Sequence, residues 1–216
     1  ERILSWLSDP KAYQLFAFMG VAGSGKSTLV KNLVKSKELS NYEVHLTATT
    51  NKAAATLSEI TGSPVKTIHS LLGLTMDESG EEVKLKPPDK EVIFSSRELI
   101  VVDEGSMANT ELTKYILATR AKVLIIGDNY QLPPVGELKS PLFKLCRDNE
   151  SYVMMRQVLR FDSDLINMSV DLRNCITTKN YSSPLKTMGD QVRVFDSKDD
   201  FYNELLKDLS VDKFKQ

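Results

Sequence analysis

Cysteine is nearly missing from this chain: Cys146 and Cys175 are the only two. They are too few for a disulfide framework and their spacing matches no metal-ligand pattern, so both read as reduced thiols. Long apolar runs are missing too, and none approaches the length of a membrane span. No basic segment leads into an apolar stretch and a cleavage site, which argues against secretion. Neither sign of charge dominates: 28 Lys and Arg stand against 29 Asp and Glu, a net charge of −1. That balance gives no support to a broad surface for coating nucleic acid, while leaving room for a narrow binding groove. Internal repeats and low-complexity tracts are absent. What remains is an ordinary globular composition, 41% hydrophobic and 26% charged over 216 residues. The length suits one large domain, or one domain and part of another.

Against that plain background one stretch stands out, Gly20-Val21-Ala22-Gly23-Ser24-Gly25-Lys26-Ser27. It matches the phosphate-binding loop pattern G-x-x-x-x-G-K-[ST] at every fixed position. An apolar, aromatic-rich strand candidate, residues 13–19, precedes it, and apolar residues at 29, 30, 33 and 34 recur behind it at helical spacing. The glycines let the backbone form a concave nest of N–H groups, and the helix N-terminus adds partial positive charge at the same place. Gly20, Ala22, Gly23, Ser24, Gly25, Lys26, Ser27 and Thr28 are therefore the expected phosphate cradle. Lys26 is expected on the β- and γ-phosphates and the Ser27 hydroxyl on Mg²⁺.

A second anchor is Leu99-Ile100-Val101-Val102-Asp103-Glu104. An unbroken apolar run ending in two acids describes a buried parallel strand that delivers carboxylates to a ligand crevice. One acid can hold Mg²⁺ and its neighbour can orient an attacking water, roles that fit Asp103 and Glu104. Residues 122–127 read as another buried strand. Beyond its end, Gln131 is either a γ-phosphate sensor or an ordinary loop residue.

Elsewhere the readings are plainer. Residues 1–7 read as the end of a helix with Trp6 in the core, so the chain is expected to continue upstream. Residues 43–48 alternate as a strand, on which His45 is expected to be structural. At the following junction, Thr50 and Asn51 are either helix caps or contacts to a phosphate backbone. Helices are expected over 109–118, 141–147 and 162–174, with strands at 152–155 and 192–195. The Met154-Met155 pair reads as core. Residues 73–90 read as a small β-hairpin with a solvated acidic tip. Phe201, Leu205, Leu206 and Leu209 share a helical face. Strands alternating with helices around a phosphate loop predict an α/β fold, a mostly parallel sheet with helices on both faces, which resembles the RecA-like fold.

Several segments follow one another in a telling order: Thr47-Ala48-Thr49-Thr50-Asn51-Lys52-Ala53-Ala54, Thr67-Ile68-His69-Ser70, Val102-Asp103-Glu104-Gly105-Ser106-Met107, Gly127 to Val135, and Gln157-Val158-Leu159-Arg160. Together they resemble the helicase motifs of superfamily 1, in the RecD/Dda branch, and the phage Dda type most of all. The resemblance covers roughly residues 13–175. It implies that Gln131 senses the γ-phosphate and that Arg160 completes the ATP site. It puts Thr50, Asn51, Lys52, Thr67 and His69 on single-stranded DNA, and makes the hairpin a strand-separating pin. The implied activity is ATP-dependent unwinding with 5′ to 3′ movement, in DNA replication, recombination or repair. The implied partners are single-stranded DNA and duplex junctions, with a single-strand binding protein or replisome component. A monomer in the cytoplasm of a bacterium or phage-infected cell, with no membrane partner, completes the expectation.

The expected domains are a first motor lobe over 1–72 and 91–178, the hairpin insertion at 73–90, and a truncated start of a second motor domain at 179–216. An isolated fragment of this extent is expected not to unwind DNA. Three departures from the family pattern stand out: Gly105 replaces a larger residue, no glutamine-containing adenine-reading segment precedes the phosphate loop, and the pin carries no obvious aromatic. Two other readings share the phosphate loop: a phosphotransferase or nucleotide switch not acting on nucleic acid, and a non-catalytic binding module. The first would need an acceptor pocket or guanine-reading residues, and neither pattern is seen. Intact Lys26, Asp103, Glu104 and Gln131 argue against the second.

Overall fold

The computed structural model describes residues 1–21, 23–77, 84–88, 92–131, 133–155, 164–180 and 193–210. The chain divides into two compact units, Glu1–Arg160 and Phe161–Gln216.

The first unit is built on one parallel sheet. Its strands are β1 (Leu15–Gly20), β2 (Glu43–Ala48), β3 (Lys66–Thr67), β6 (Glu98–Asp103), β7 (Lys122–Gly127) and β8 (Tyr152–Met155). They lie in the order β3-β2-β6-β7-β1-β8, and every pairing is parallel. Between β3 and β6, β4 (Thr75–Asp77) and β5 (Lys84–Lys86) form a separate antiparallel hairpin. The expected insertion is thus present. Its acidic tip lies outside the described residues.

Side-chain alternation sorts the central strands onto two cores. Leu15, Ala17, Met19, Ile100, Val102, Val123 and Ile125 face one side. There they meet α4 (Ile68–Leu71), α5 (Thr110–Ala118) and α6 (Pro141–Asp148). Phe16, Phe18, Leu99, Val101, Leu124 and Ile126 face the other side, against α1 (Arg2–Ser8), α2 (Lys26–Val34) and α3 (Asn51–Thr61). Burial on both faces explains why β6 and β7 read as continuous apolar runs. Trp6 is core, as expected, and its indole N–H donates to the Tyr13 carbonyl at 2.7 Å. Met154 and Met155 pack against opposite cores.

His45 is tied down at the amino end of the sheet. Its Nε2 lies 2.8 Å from Glu98 Oε1, and Phe94 meets the ring edge-on. Cys146 is buried among apolar side chains, which pushes its thiol up to about 12. Such a thiol is inert at neutral pH.

In the second unit, α7 (Asp164–Thr178) extends beyond the expected end, and α8 (Lys198–Ser210) carries Phe201, Leu205 and Leu206. Ser197 Oγ accepts from the Asp200 N–H at 3.1 Å and caps α8. The strand expected at 192–195 does not form over its described part. Residues 193–195 lead straight into that cap, with Arg193 bonded to Glu204 and Phe195 edge-on to Phe201. No helix among the described residues is long and apolar enough to cross a membrane.

Candidate functional site

Parallel strands point their carboxyl ends one way, so the segments leaving β1, β2, β3, β6 and β7 gather on one edge of the sheet.

The glycine loop leaves β1 there. Gly23 (φ 76°) and Gly25 (φ 87°) adopt left-handed backbone, and Gly25 is the residue that launches α2. Such φ values favour glycine. The loop curls so tightly that a Cβ at Gly20 would meet Ser24 Oγ at 2.5 Å. Ser24 Oγ is fully buried with no protein partner among the described residues. Lys26 Nζ donates to the carbonyls of Gly20 at 2.9 Å and Val21 at 3.0 Å, which holds its ammonium over the loop. Ser27 is partly buried, and Thr28 is exposed in the first turn of α2. Ala22 lies outside the described residues.

Asp103 ends β6, two strands away from β1. Its Oδ1 accepts the Glu104 N–H at 2.9 Å. Glu104 then turns into left-handed backbone, φ 54°, and the chain enters a 3₁₀ turn over Gly105–Met107. Burial raises the Asp103 carboxyl above its ordinary range, while the Glu104 N–H and the Lys26 charge pull it back. Burial also raises Glu104; the charges of Asp103 and Asp128 add to the rise and Lys26 opposes it. Lys26, Asp103, Glu104 and Asp128 are therefore one electrostatic cluster. The Ser27 hydroxyl and the Asp103 carboxylate, which line one cleft, are hard oxygen donors of the kind Mg²⁺ takes.

Sequence reasoning gave Asp128 no role. It is 1% exposed at the end of β7, and its Oδ1 accepts the Tyr130 N–H at 3.0 Å. The Gln131 N–H bonds the Asp128 carbonyl at 3.1 Å, which fixes the turn that carries Gln131. The signal was the buried strand ending in Gly127-Asp128, since an acid there must meet other groups at the carboxyl edge.

Ser27, Asp103, Glu104 and Gln131 line one cleft of about 490 Å³, together with Thr50, Lys52, Ser106 and Met107. Thr50 caps α3, its hydroxyl accepting from the Ala53 N–H at 3.2 Å. Asn51 and Lys52 follow it, both exposed in the first turn of α3. Thr67 caps α4 in the same way, accepting from the Ser70 N–H at 3.1 Å. Because β3 pairs with β2, these caps sit side by side on the edge. His69 is half-buried in α4, and burial lowers its pKa. Arg160 lies outside the described residues.

Gly105 has a steric explanation. A Cβ there would meet Ile125 Cγ2 at 2.3 Å. In this chain the turn after Glu104 presses directly onto β7 and leaves no room for a side chain.

The AAA domain family matches residues 7–191. The ATP-dependent RecD2 DNA helicase of Deinococcus radiodurans is 36% identical over 138 residues, covering 62% of this chain and 18% of that protein. The ATP-dependent DNA helicase dda of Enterobacteria phage T4 is 30% identical over 162 residues, covering 72% of this chain and 37% of that protein. The chain thus spans well under half the length of either relative. Among solved structures, Pif1 helicase from Bacteroides in complex with ADP-AlF3 and ssDNA superimposes with a TM-score of 0.52 at 18% identity, covering 99% of this chain and 57% of that one. Pif1 helicase from Candida albicans gives a TM-score of 0.51 at 21% identity, covering 97% of this chain and 52% of that one. These two likenesses concern the fold.

Proposed function

The chain belongs to the AAA domain family, and from that premise we propose that it is the N-terminal motor domain of an ATP-dependent DNA helicase. The observation that carries the reading is the single cleft lined by Ser27, Asp103, Glu104 and Gln131 beside Thr50 and Lys52. Groups suited to phosphate chemistry and groups suited to a nucleic-acid backbone share one edge of the sheet. The similarity to RecD2 and dda supports the same conclusion.

In this reading the loop N–H groups and Lys26 hold the ATP phosphates. Ser27 and Asp103 hold Mg²⁺, which supplies charge neutralisation on the phosphates. Glu104 accepts a hydrogen bond from the attacking water, and its burial raises its basicity for that task. Gln131 senses the γ-phosphate, and Arg160 stabilises the transferring charge. Thr50, Asn51, Lys52, Thr67 and His69 contact single-stranded DNA, and the hairpin over 73–90 separates strands. Residues 179–216 begin a second motor domain whose closure drives 5′ to 3′ movement. The whole protein acts as a cytoplasmic monomer at duplex junctions in replication, recombination or repair, alongside a single-strand binding protein or replisome component. Resemblance to dda favours a phage-infected cell as its setting.

The test is ATP hydrolysis by the full-length protein with and without single-stranded DNA or RNA, beside Lys26→Ala. Strong stimulation by DNA that the substitution abolishes is the expected result. Turnover indifferent to both polymers would overturn the reading in favour of a small phosphoryl acceptor.

A further inference from the structure

The hairpin is fastened to the motor domain by an arrangement that neither the phosphate loop nor the edge residues account for. In β5, Leu85 sends its N–H to Glu111 Oε1 at 3.3 Å, and its carbonyl accepts from the Tyr115 hydroxyl at 3.4 Å. Both backbone groups of Leu85 therefore point away from β4, toward α5. A two-stranded ribbon leaves such outward groups without ladder partners. Residues four apart stack on one helix face, so Glu111 and Tyr115 present an acceptor and a donor at matching height. Together they satisfy both groups of a single strand residue.

The Leu85 and Tyr115 side chains also pack against the core, but the packing around them is incomplete. An apolar cavity of about 260 Å³ lies between the hairpin base and α5, lined by Leu72, Leu74, Pro87, Pro88 and Tyr115 among others. The base is held at two further points. The Leu74 N–H bonds the His69 carbonyl at 2.9 Å, and Gly73 stands against Pro88, where an added Cβ would come within 3.1 Å. At its own start, α5 is anchored near the ATP cleft. It follows the 3₁₀ turn after Glu104, and its Thr110 N–H bonds Glu137 Oε1 at 2.7 Å, in the segment beyond Gln131.

We propose that Glu111 and Tyr115 are positioning residues that clamp the hairpin to α5, so that movement of the motor domain is delivered to the strand junction. The inference rests on the helicase reading above. Neither residue lines the ATP cleft. Hydrolysis and travel along single-stranded DNA should therefore proceed without the clamp, while strand separation should not.

The experiment uses the full-length protein and its Glu111→Ala, Tyr115→Phe and doubly substituted variants, with Glu111→Gln as the variant that keeps an acceptor oxygen. Three readouts are compared: DNA-stimulated ATP turnover, displacement of streptavidin from a biotinylated single strand, and unwinding of a forked duplex. The expected result for the double variant is about tenfold slower unwinding, the effect of losing one to two ordinary hydrogen bonds, with the other two rates within about twofold of the parent. Glu111→Gln is expected to unwind like the parent. Unwinding unchanged in the double variant overturns the clamp, as does turnover that falls in step with unwinding, since that marks a merely structural role. An unsubstituted protein whose turnover ignores DNA overturns the helicase reading itself, and is seen before any variant is compared.

Discussion

The Thr49 hydroxyl donates to the Glu104 carbonyl at 3.1 Å, joining the end of β2 to the turn beyond β6. The Thr49 N–H also meets the Asp103 carbonyl at 3.2 Å. Glu104 needs such support because its φ of 54° places a bulky residue in left-handed backbone. That conformation costs about 1–2 kcal/mol and persists only where surrounding bonds over-determine it. Thr49 directly precedes Thr50 and Asn51, so a shift of the segment proposed to contact DNA would act on the backbone of the acid proposed to orient water. Thr49→Val keeps the shape and removes the donor. It should lower stability by about 1 kcal/mol and slow DNA-stimulated turnover several-fold. Chemical denaturation and steady-state ATPase assays check both; unaltered turnover would mean that the Thr49 N–H bond to Asp103 suffices.

The acid cluster makes the site costly to fold. Asp103 and Glu104 both have carboxyls raised above their ordinary range, each chiefly by burial. A raised folded-state pKa contributes stability that is present below the unfolded value, about 4, and is lost as pH rises through the folded value. At neutral pH both ionised acids therefore oppose folding. Glu104→Gln should raise the melting temperature by about 2–4 °C per kcal/mol gained near pH 7. The gain should vanish near pH 3, and its persistence there would mean that packing rather than charge is responsible. In the parent, turnover should rise with pH through a limb above the ordinary carboxylate range, because Glu104 must be ionised to accept a water proton.

The sheet and the glycine loop were legible because both rest on local signals. The runs at β6 and β7 are buried on two faces, so their apolar continuity survives in the sequence. The glycine loop announces itself through backbone demands that few other residues meet. The clamp on Leu85 was not legible: Glu111 and Tyr115 look like ordinary residues of an amphipathic helix, and their partner is a backbone from another element. Asp128 was hidden for a related reason. Its neighbour Glu104 is distant in sequence, and only the pairing of adjacent strands brings the two together. The strand expected at 192–195 rested on alternation alone, and its described part, 193–195, forms none.

Gly105 offers a test of close packing beside the chemistry. The Cβ of Gly105→Ala would overlap Ile125 Cγ2, a methyl fixed by β-branching that cannot swing aside. Relief must come from moving the turn that carries Glu104. The substitution should cost about 1–3 kcal/mol, typical of overpacking, and should reduce turnover along with it. Ile125→Ala opens the space, so the double variant should be more stable than the sum of the two single changes. A double-mutant cycle measures that coupling, and strict additivity would place the strain elsewhere.

Thr50 and Lys52 separate a structural duty from a proposed binding one. Thr50 accepts the Ala53 N–H and caps α3, whereas Lys52 is exposed. Thr50→Ala should lose about 1 kcal/mol of stability as the cap disappears, and Thr50→Ser should retain it. Lys52→Ala breaks no hydrogen bond of its side chain among those described, so its melting temperature should stay near that of the parent. If Lys52 neutralises one phosphate, its loss should weaken single-stranded DNA binding equally for all sequences. It should also shallow the slope of log K against log salt by about 0.7. Fluorescence anisotropy on the full-length protein across a salt series reads that slope. Weaker binding at an unchanged slope would make Lys52 a contact to sugar or base, and an unchanged affinity would remove it from the DNA path.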